Sequence, residues 1–461
     1  MLEGLEVSEV FTTEFFKDNA DFRLDAEYFS KKNIELNRQL EKIGYKTIED
    51  FSFVTDGIHT SIDYAEESHI KLVSATSPRE NYFDFSRNVF ISEESHRQNP
   101  RTALKAGDII ISTVGTIGNC AVVKPSDLPA NSDRHVGIIR IKDKNFLPNY
   151  VSTFLLSKYG RFQTLKESTG NVQLNLFIYK IRTLKIASLK IDFQERVDKF
   201  IKSAHSKREQ SQSLYHQAEG LLLETIGLKD FKPSEKGINV KTFKKSFLTT
   251  GRLDAEYYQP KYEEVEKIIK KTGFVYLEDI CSAINYGSVP TSPYTENNEG
   301  IPYIKGLNLK STFIIKDKLD YIVNTEKLPK KVFTKEGDII ISQMGTVGDV
   351  GIVTRNEAGW IFASFTIRVR LKKDCGYLPR FIGLYIQNIA KNYYLKQNIA
   401  QASVRQNTDL PTIKRMYIPK VDIDIQKQIV DLIEKSFSLR EKSDQLLEEA
   451  KEMVEREIEN A

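Results

Sequence analysis

No apolar run in this chain approaches the ~18 residues that cross a bilayer, so no membrane span is expected. The opening residues Met1 to Glu6 are acidic and lack the character of a signal peptide. Only three cysteines occur, Cys120, Cys281 and Cys375, and their wide spacing suggests no metal knuckle. Reduced thiols in a cytoplasmic protein are the expectation. The chain has no Gly-x-Gly-x-x-Gly and no Gly-x4-Gly-Lys-Ser/Thr phosphate loop. It also lacks a His-Glu-x-x-His metal motif and a Pro-Pro-Tyr of the kind that holds a flipped base. The net charge is only +4, from 67 basic and 63 acidic residues. That is too mild to argue for nucleic acid alone, although charge can be segregated on one face.

What the sequence does contain is itself, twice. Arg23-Leu24-Asp25-Ala26-Glu27-Tyr28-Phe29 returns as Arg252-Leu253-Asp254-Ala255-Glu256-Tyr257-Tyr258, offset by 229 residues (252 − 23). Gly107-Asp108-Ile109-Ile110-Ile111-Ser112 returns as Gly337-Asp338-Ile339-Ile340-Ile341-Ser342, offset by 230 (337 − 107). Gly115-Thr116-Ile117-Gly118 matches Gly345-Thr346-Val347-Gly348, and Asp192-Phe193-Gln194 matches Asp424-Ile425-Gln426. A period this long makes the repeats domains, not solenoid units. All six histidines (His59, His69, His96, His135, His205 and His216) lie in the first copy or its helix. A task shared by both copies therefore cannot depend on histidine. The Gly115/Gly118 pair lacks the lysine of a phosphate cradle and reads as a tight turn.

Four segments are expected: a first domain at 1–193, a long helix at 194–228, a connector with second domain at 229–425, and a second long helix at 426–461. In the first helix Val197, Ile201, Ala204, Arg208, Ser211, Tyr215, Ala218 and Leu222 step alternately by four and three residues. Ile429, Ile433, Ser436, Arg440, Ser443, Leu447, Ala450 and Val454 repeat that seam. Matching heptad seams predict two helices packed side by side. Neither helix contains proline. The short runs Asp108 to Ser112 and Asp338 to Ser342 read as buried strands, and 137–142 and 365–371 as half-buried ones. Helical spacing follows a proline at 149–158 and 379–390. The fold class is mixed α/β, with two β-rich domains in tandem.

Together these marks resemble the specificity subunit of type I restriction-modification systems, over nearly the whole chain. They are the Arg-Leu-Asp-Ala-Glu-Tyr opening, Gly-Asp-Ile-Ile-Ile-Ser followed by Gly-Thr-Ile/Val-Gly, and the Gln194 and Gln426 that start the helices. A fourth is Gly300-Ile301-Pro302-Tyr303-Ile304-Lys305-Gly306-Leu307-Asn308. The resemblance implies two target recognition domains, each reading half of a split, asymmetric site in double-stranded DNA. It implies an antiparallel coiled coil of the long helices as spacer. At ~1.5 Å per residue each helix would measure roughly 50 Å, about one and a half turns of DNA. It further implies two copies of a methyltransferase (M) subunit that carries S-adenosylmethionine, and a motor/nuclease (R) subunit. This chain would bind no cofactor or metal and catalyse nothing. A modification-only or related phage-defence system would look alike in sequence. A standalone methyltransferase or nuclease with unfamiliar motifs, or a scaffold that binds no DNA, is the remaining alternative.

Base edges are read by polar side chains on loops that reach outward. In the first half the candidates are His59, Thr60, Ser61, Ser74, Thr76, Arg79, Thr113, Thr116, Asn119, Arg134, His135, Asn171, Gln173 and Asn175. In the second they are Tyr286, Ser288, Lys305, Asn308, Gln343, Thr346, Ser364, Arg405, Gln406 and Asn407. The scaffold strands repeat while the polar loops differ: Gly170-Asn171-Val172-Gln173-Leu174-Asn175 stands opposite Ala402-Ser403-Val404-Arg405-Gln406-Asn407. Two readers of different half-sites are therefore expected. Arg405→Ala should weaken binding to the second half-site alone, by ~1–3 kcal/mol for a base contact.

Overall fold

The structure is a computed structural model. It describes residues 10–11, 13, 19, 21–26, 28–85, 89–170, 174–234, 238–289, 293–295, 299–316, 319–323, 328–399 and 406–460. Asn171, Gln173 and Arg405 lie outside the described residues. The chain divides into two compact units, Met1–Glu209 with Leu439–Ala461, and Gln210–Ser438. This differs from the four consecutive segments expected, because each long helix is shared between the units.

The first unit opens with α1 (Lys31–Ile43) and β1 (Tyr45–Thr47), then β2 (Ser52–Asp56), β3 (Ile70–Val73) and β4 (Val89–Ile91). β5 (Ile109–Ser112), β6 (Cys120–Val122), β7 (Ala130–Ser132) and β8 (Val136–Ile141) follow. Next come α2 (Pro148–Leu156), α3 (Lys158–Glu167), α4 (Ile178–Thr183), β9 (Lys185–Ala187) and the long α5 (Ile191–Thr225). One antiparallel sheet runs β2-β8-β5-β6; a smaller one runs β4-β3-β7, with β3 and β7 parallel. β5 is apolar over Ile109–Ile111 because both its faces are covered. Ile109 and Ile111 join the core with α2 and the long helices, while Ile110 packs with Val73, Val136 and Ile138 on the other side.

The second unit repeats the plan. It comprises α6 (Pro260–Lys271), β10 (Phe274–Tyr276), β11 (Cys281–Tyr286), β12 (Tyr294–Thr295), β13 (Ile301–Ile304), β14 (Leu309–Lys310), β15 (Phe313–Ile314) and β16 (Asp320–Ile322). β17 (Ile339–Ser342), β18 (Val350–Ile352), β19 (Ile361–Phe362), β20 (Thr366–Leu371), α7 (Pro379–Tyr385), β21 (Tyr417–Pro419) and α8 (Ile423–Glu459) complete it. The sheets are β11-β20-β17-β18 and β12-β16-β13-β19, with β13 and β19 parallel.

Both repeated motifs are structural. Asp108 is buried and accepts two hydrogen bonds from Arg140, at 2.8 and 2.7 Å, and one from the Lys105 amide. Asp338 does the same with Arg370 (2.6 Å twice) and the Lys335 amide. Arg23 grips Asp25, and Arg252 grips Asp254, through paired hydrogen bonds. Each arginine also reaches a carbonyl far along its own unit, at Ser168 and Ile399. Gln194 and Gln426 are buried at the helix starts. Their side chains accept from the Leu147 and Leu378 amides and donate to the Asn145 and Gly376 carbonyls.

The helix seams are buried within each unit. In the first, Val197, Ile201 and Ala204 share a core with Leu447, Ala450, Val454 and Ile458, and Arg208 pairs with Asp444. In the second, Ala218 and Leu222 share a core with Ile429, Ile433 and Phe437. There Ser436 Oγ donates to the Ser211 carbonyl at 2.8 Å. The start of α5 lies with the end of α8 in one unit, and the converse holds in the other, so the pairing is antiparallel. Ser443 is buried and Tyr215 half-buried. Both helices begin three residues before the expected glutamines. α5 stops at Thr225, where Gly227 (φ +76°) lets the Leu228 amide reach back to the Leu223 carbonyl at 2.7 Å.

Candidate nucleic-acid interface

Four backbone links gather the candidate loops at one end of the sheets in the first unit. The Ile58 amide donates to the Ser132 carbonyl (2.8 Å), and the Asp133 amide to Val73 (3.0 Å). The Thr113 amide donates to His135 (3.1 Å), and the Leu176 amide to Thr113 (2.9 Å). The second unit makes the same four: Ser288 to Phe362 (3.1 Å), Ala363 to Ile304 (2.9 Å), Gln343 to Phe365 (3.0 Å) and Thr408 to Gln343 (3.1 Å). The first link needs glycine. A Cβ on Gly57 would lie 2.0 Å from the Asp133 carbonyl oxygen, and one on Gly287 would lie 2.2 Å from that of Phe362.

The Gly-Thr-Ile/Val-Gly turn is stapled from the helix behind it. Arg161 Nη2 donates to Asn119 Oδ1 at 2.6 Å in the first unit. Lys391 pairs with Asp349 in the second. Asn175 bridges Val114, and Asn407 bridges Met344. The loops at 59–61, 74–76, 113–119, 133–135 and 175 thus meet on one face. In the second unit 286–288, 305–306, 343–346, 364 and 406–407 meet likewise.

Exposure sorts the candidates. His59, Thr60, Ser61, Thr76, Arg134, Thr346 and Gln406 are exposed. Ser74, Arg79, Thr116, Asn119, His135, Asn175, Ser288, Lys305, Gln343, Ser364 and Asn407 are half-buried. Two depart from expectation. Asn308 is fully buried and builds its turn, accepting from the Lys305 amide at 2.9 Å and donating to the Ile315 carbonyl at 3.2 Å. The Thr113 side chain is also buried, so that residue contributes its backbone. Tyr286 is half-buried, and its hydroxyl oxygen accepts from the Leu410 amide at 3.2 Å. Lys305 is engaged with Asp320 at 2.6 Å.

One residue at this face escaped the sequence reading. Arg101 donates to Asp56 Oδ1 at 3.0 Å and to the Gly57 carbonyl at 3.4 Å. His59 Nε2 reaches the other oxygen of Asp56 at 2.5 Å. Burial works against the Asp56 charge, but the hydrogen bonds from Arg101 and His59 outweigh it and hold the carboxyl below its ordinary value. Arg101 lies in no repeated motif, so only its arginine character could have flagged it. The outward positions also differ between units at matched places (offset 230). Arg134 stands where the second unit has Ser364, and His135 where it has Phe365.

Residues 269–452, which run from α6 into α8, match the family described as Type I restriction modification DNA specificity domain. The second half of the chain therefore carries a DNA specificity domain. Type I restriction modification is also the system that the repeated motifs resemble. Solved structures similar to the chain include the type I restriction-modification S subunit from M. genitalium, with 12% identity and a TM-score of 0.43 over 89% of this chain and 92% of that one. The HsdS subunit from Thermoanaerobacter tengcongensis is 13% identical with a TM-score of 0.28, over 90% of this chain and 95% of that one. No curated protein matches the chain. Among the described residues, no helix is long and apolar enough to cross a membrane.

Proposed function

We propose that the chain is the sequence-reading subunit of a type I restriction-modification complex. Each unit reads one half of a bipartite, asymmetric DNA site, and the long helices form the spacer. The chain directs a methyltransferase subunit, which carries S-adenosylmethionine, and a motor/nuclease subunit to that site; it performs no chemistry itself.

The observation that carries this reading is the pair of loop platforms. The four backbone links and the close-passing glycine recur in both units, while outward positions such as Arg134 and His135 against Ser364 and Phe365 do not. A scaffold kept constant beneath exchanged polar residues is what two readers of different sequences require. Rigid strand ends hold the loops in register, so their polar groups meet a duplex with little ordering cost.

The test is to express the chain with its methyltransferase partner and map methylated adenines across the host genome. A split motif of two unlike halves is the expected result. A continuous motif, or methylation without sequence preference, would count against two separate readers. Labelled S-adenosylmethionine should transfer nothing to DNA with the purified chain alone; transfer would favour a standalone methyltransferase.

A further inference from the structure

Beside the first unit's platform stands an aromatic pair that the polar reading does not use. Leu176 is buried and its amide is tied to Thr113. In extended backbone, alternate residues face opposite ways. Asn175 and Phe177 therefore face outward, away from the core that holds Leu176. Phe177 is 49% exposed and Tyr179 50% exposed, with ring centroids 5.9 Å apart and planes 15° from parallel. α4 fixes both rings: Phe177 is its cap residue, and its carbonyl accepts from the Lys180 and Ile181 amides. Lys180 is buried and held by Asp21 and Glu167, each at 2.7 Å.

The second unit has no such pair at the matched place. At the matched positions (offset 232) stand Asp409 and Pro411. Asp409 caps the following helix, accepting from the Thr412 amide at 2.8 Å. An exposed carboxylate there repels phosphate, whereas the ring pair offers an apolar surface two residues from Asn175, with the Lys180 ammonium 5.6 Å from the Tyr179 ring centroid and already engaged by Asp21 and Glu167.

We propose that Phe177 and Tyr179 make an apolar contact with the bases of the half-site read by the first unit, and that the second unit has no counterpart. The occupant is DNA because the pair continues the platform of Asn175 and Thr113 without a break. Aromatic side chains stack on exposed base faces or pack on thymine methyl groups, and neither contact touches phosphate. The inference rests on the DNA-reading function proposed above.

The test uses the full chain assembled with its methyltransferase partner and a duplex carrying the mapped site. The double variant Phe177→Ala/Tyr179→Ala should bind roughly five- to a hundredfold more weakly. The slope of log affinity against log salt should stay unchanged, since no phosphate contact is lost. Phe177→Tyr keeps the ring and should bind as the wild type does, which guards against a folding defect. If thymine methyls are the contact, uracil in the first half-site weakens the wild type but not the double variant. If a ring face is the contact, 2-aminopurine there changes fluorescence on wild-type binding only. Unchanged affinity, or an affinity loss with neither signal, overturns the proposal. So does loss of the methyltransferase from the double variant, which would assign the pair to a protein partner. Failure of the wild type to bind any duplex would instead sink the DNA-reading function itself.

Discussion

The two units share a backbone plan yet solve one problem oppositely at the centre of the main sheet. The first has Ile138 where the second has Arg368 (offset 230). Ile138 is fully buried among Val73, Ile110 and Val136. Arg368 is nearly as buried, 3% exposed, and donates to Asn285 Oδ1 at 2.6 Å, with Asp338 at 4.0 Å and the Phe362 ring at 5.6 Å. Burial lowers its pKa, and its Nε has no partner. The position that matches Asn285 is Thr55, which Arg101 approaches from outside the sheet. One scaffold thus brings a guanidinium to the same strand end from two directions. The scaffold fixes where polar contacts are needed, and not which residue supplies them.

The largest expected effect breaks this comparison. Ile138→Arg places a guanidinium where Arg140 already occupies both oxygens of Asp108 and where Thr55, the match of Asn285, is already taken by Arg101. An unpaired buried charge costs about 3–5 kcal/mol, which should unfold the first unit or lower its denaturation midpoint sharply. The opposite exchange, Arg368→Met, removes a buried charge while Asp338 keeps Arg370. It should be neutral or stabilising by up to about 1 kcal/mol. Urea unfolding of both variants measures the contrast, and equal losses would show that the two sheets hold charge alike.

The platform turns give a smaller difference. Gly118 and Gly348 both have positive φ, +77° and +86°. A Cβ on Gly118 would lie 2.7 Å from Thr164 Oγ1, beside the Thr164 Cβ at 3.2 Å. On Gly348 it would meet the Leu395 Cδ1 at 2.9 Å and the Lys391 Cγ at 3.0 Å, both on longer side chains that can yield. Gly118→Ala should cost about 2–3 kcal/mol and Gly348→Ala about 1–2 kcal/mol. Thermal melts showing the reverse order would mean that the second turn is the stiffer one.

The repeat, the strand pair Ile109–Ser112 and Ile339–Ser342, and the helix seams were legible because each rests on periodicity or recurrence. The sharing of each helix between two units was not, since a heptad seam tells what packs but not against which domain. The proline-led helices were read at the right places, yet they end differently. In the first unit the helix breaks at Ser157, where a Cβ added at Gly160 would lie 2.3 Å from the Leu155 Cα and the Lys158 amide donates to Glu455 Oε1 at 2.6 Å. In the second it runs on as a π-helix over Ile386–Leu395, with the Gln387 side-chain Oε1 accepting from the Val350 amide at 2.9 Å. Both outcomes depend on partners distant in sequence. Most candidate loops did converge on a face, but Asn308 turned inward, because a polar residue beside glycine serves a turn as readily as a ligand. Phe177 and Tyr179 carry no such mark, since neither recurrence nor polar character sets a surface ring apart from a core one.

Half-site selectivity sharpens the comparison where stability cannot. Asn175 and Asn407 occupy matched bridges, so Asn175→Ala should lower affinity for the first half-site only and Asn407→Ala for the second only. The expected loss is ~1–3 kcal/mol for a bidentate base contact. Titrations against duplexes with one half-site scrambled separate the two. A variant that weakens both half-sites equally would have lost a general contact instead of a reader.

The smallest effect concerns acid. Arg23 and Arg252 donate to Asp25 and Asp254, and those hydrogen bonds hold both carboxyls below their ordinary value. A lowered folded-state pKa adds stability above the unfolded value, about 3.9. That contribution is lost as pH falls through the lowered value. Between pH 7 and pH 5 neither latch should change the melting temperature; below about pH 4 both should weaken it. The Asp25 side chain is 44% exposed and that of Asp254 30%. Solvent therefore screens the first pair more, and Asp254→Asn should flatten the acid limb of the melting curve more than Asp25→Asn. Equal flattening by both variants would mean that exposure does not set the difference between the latches.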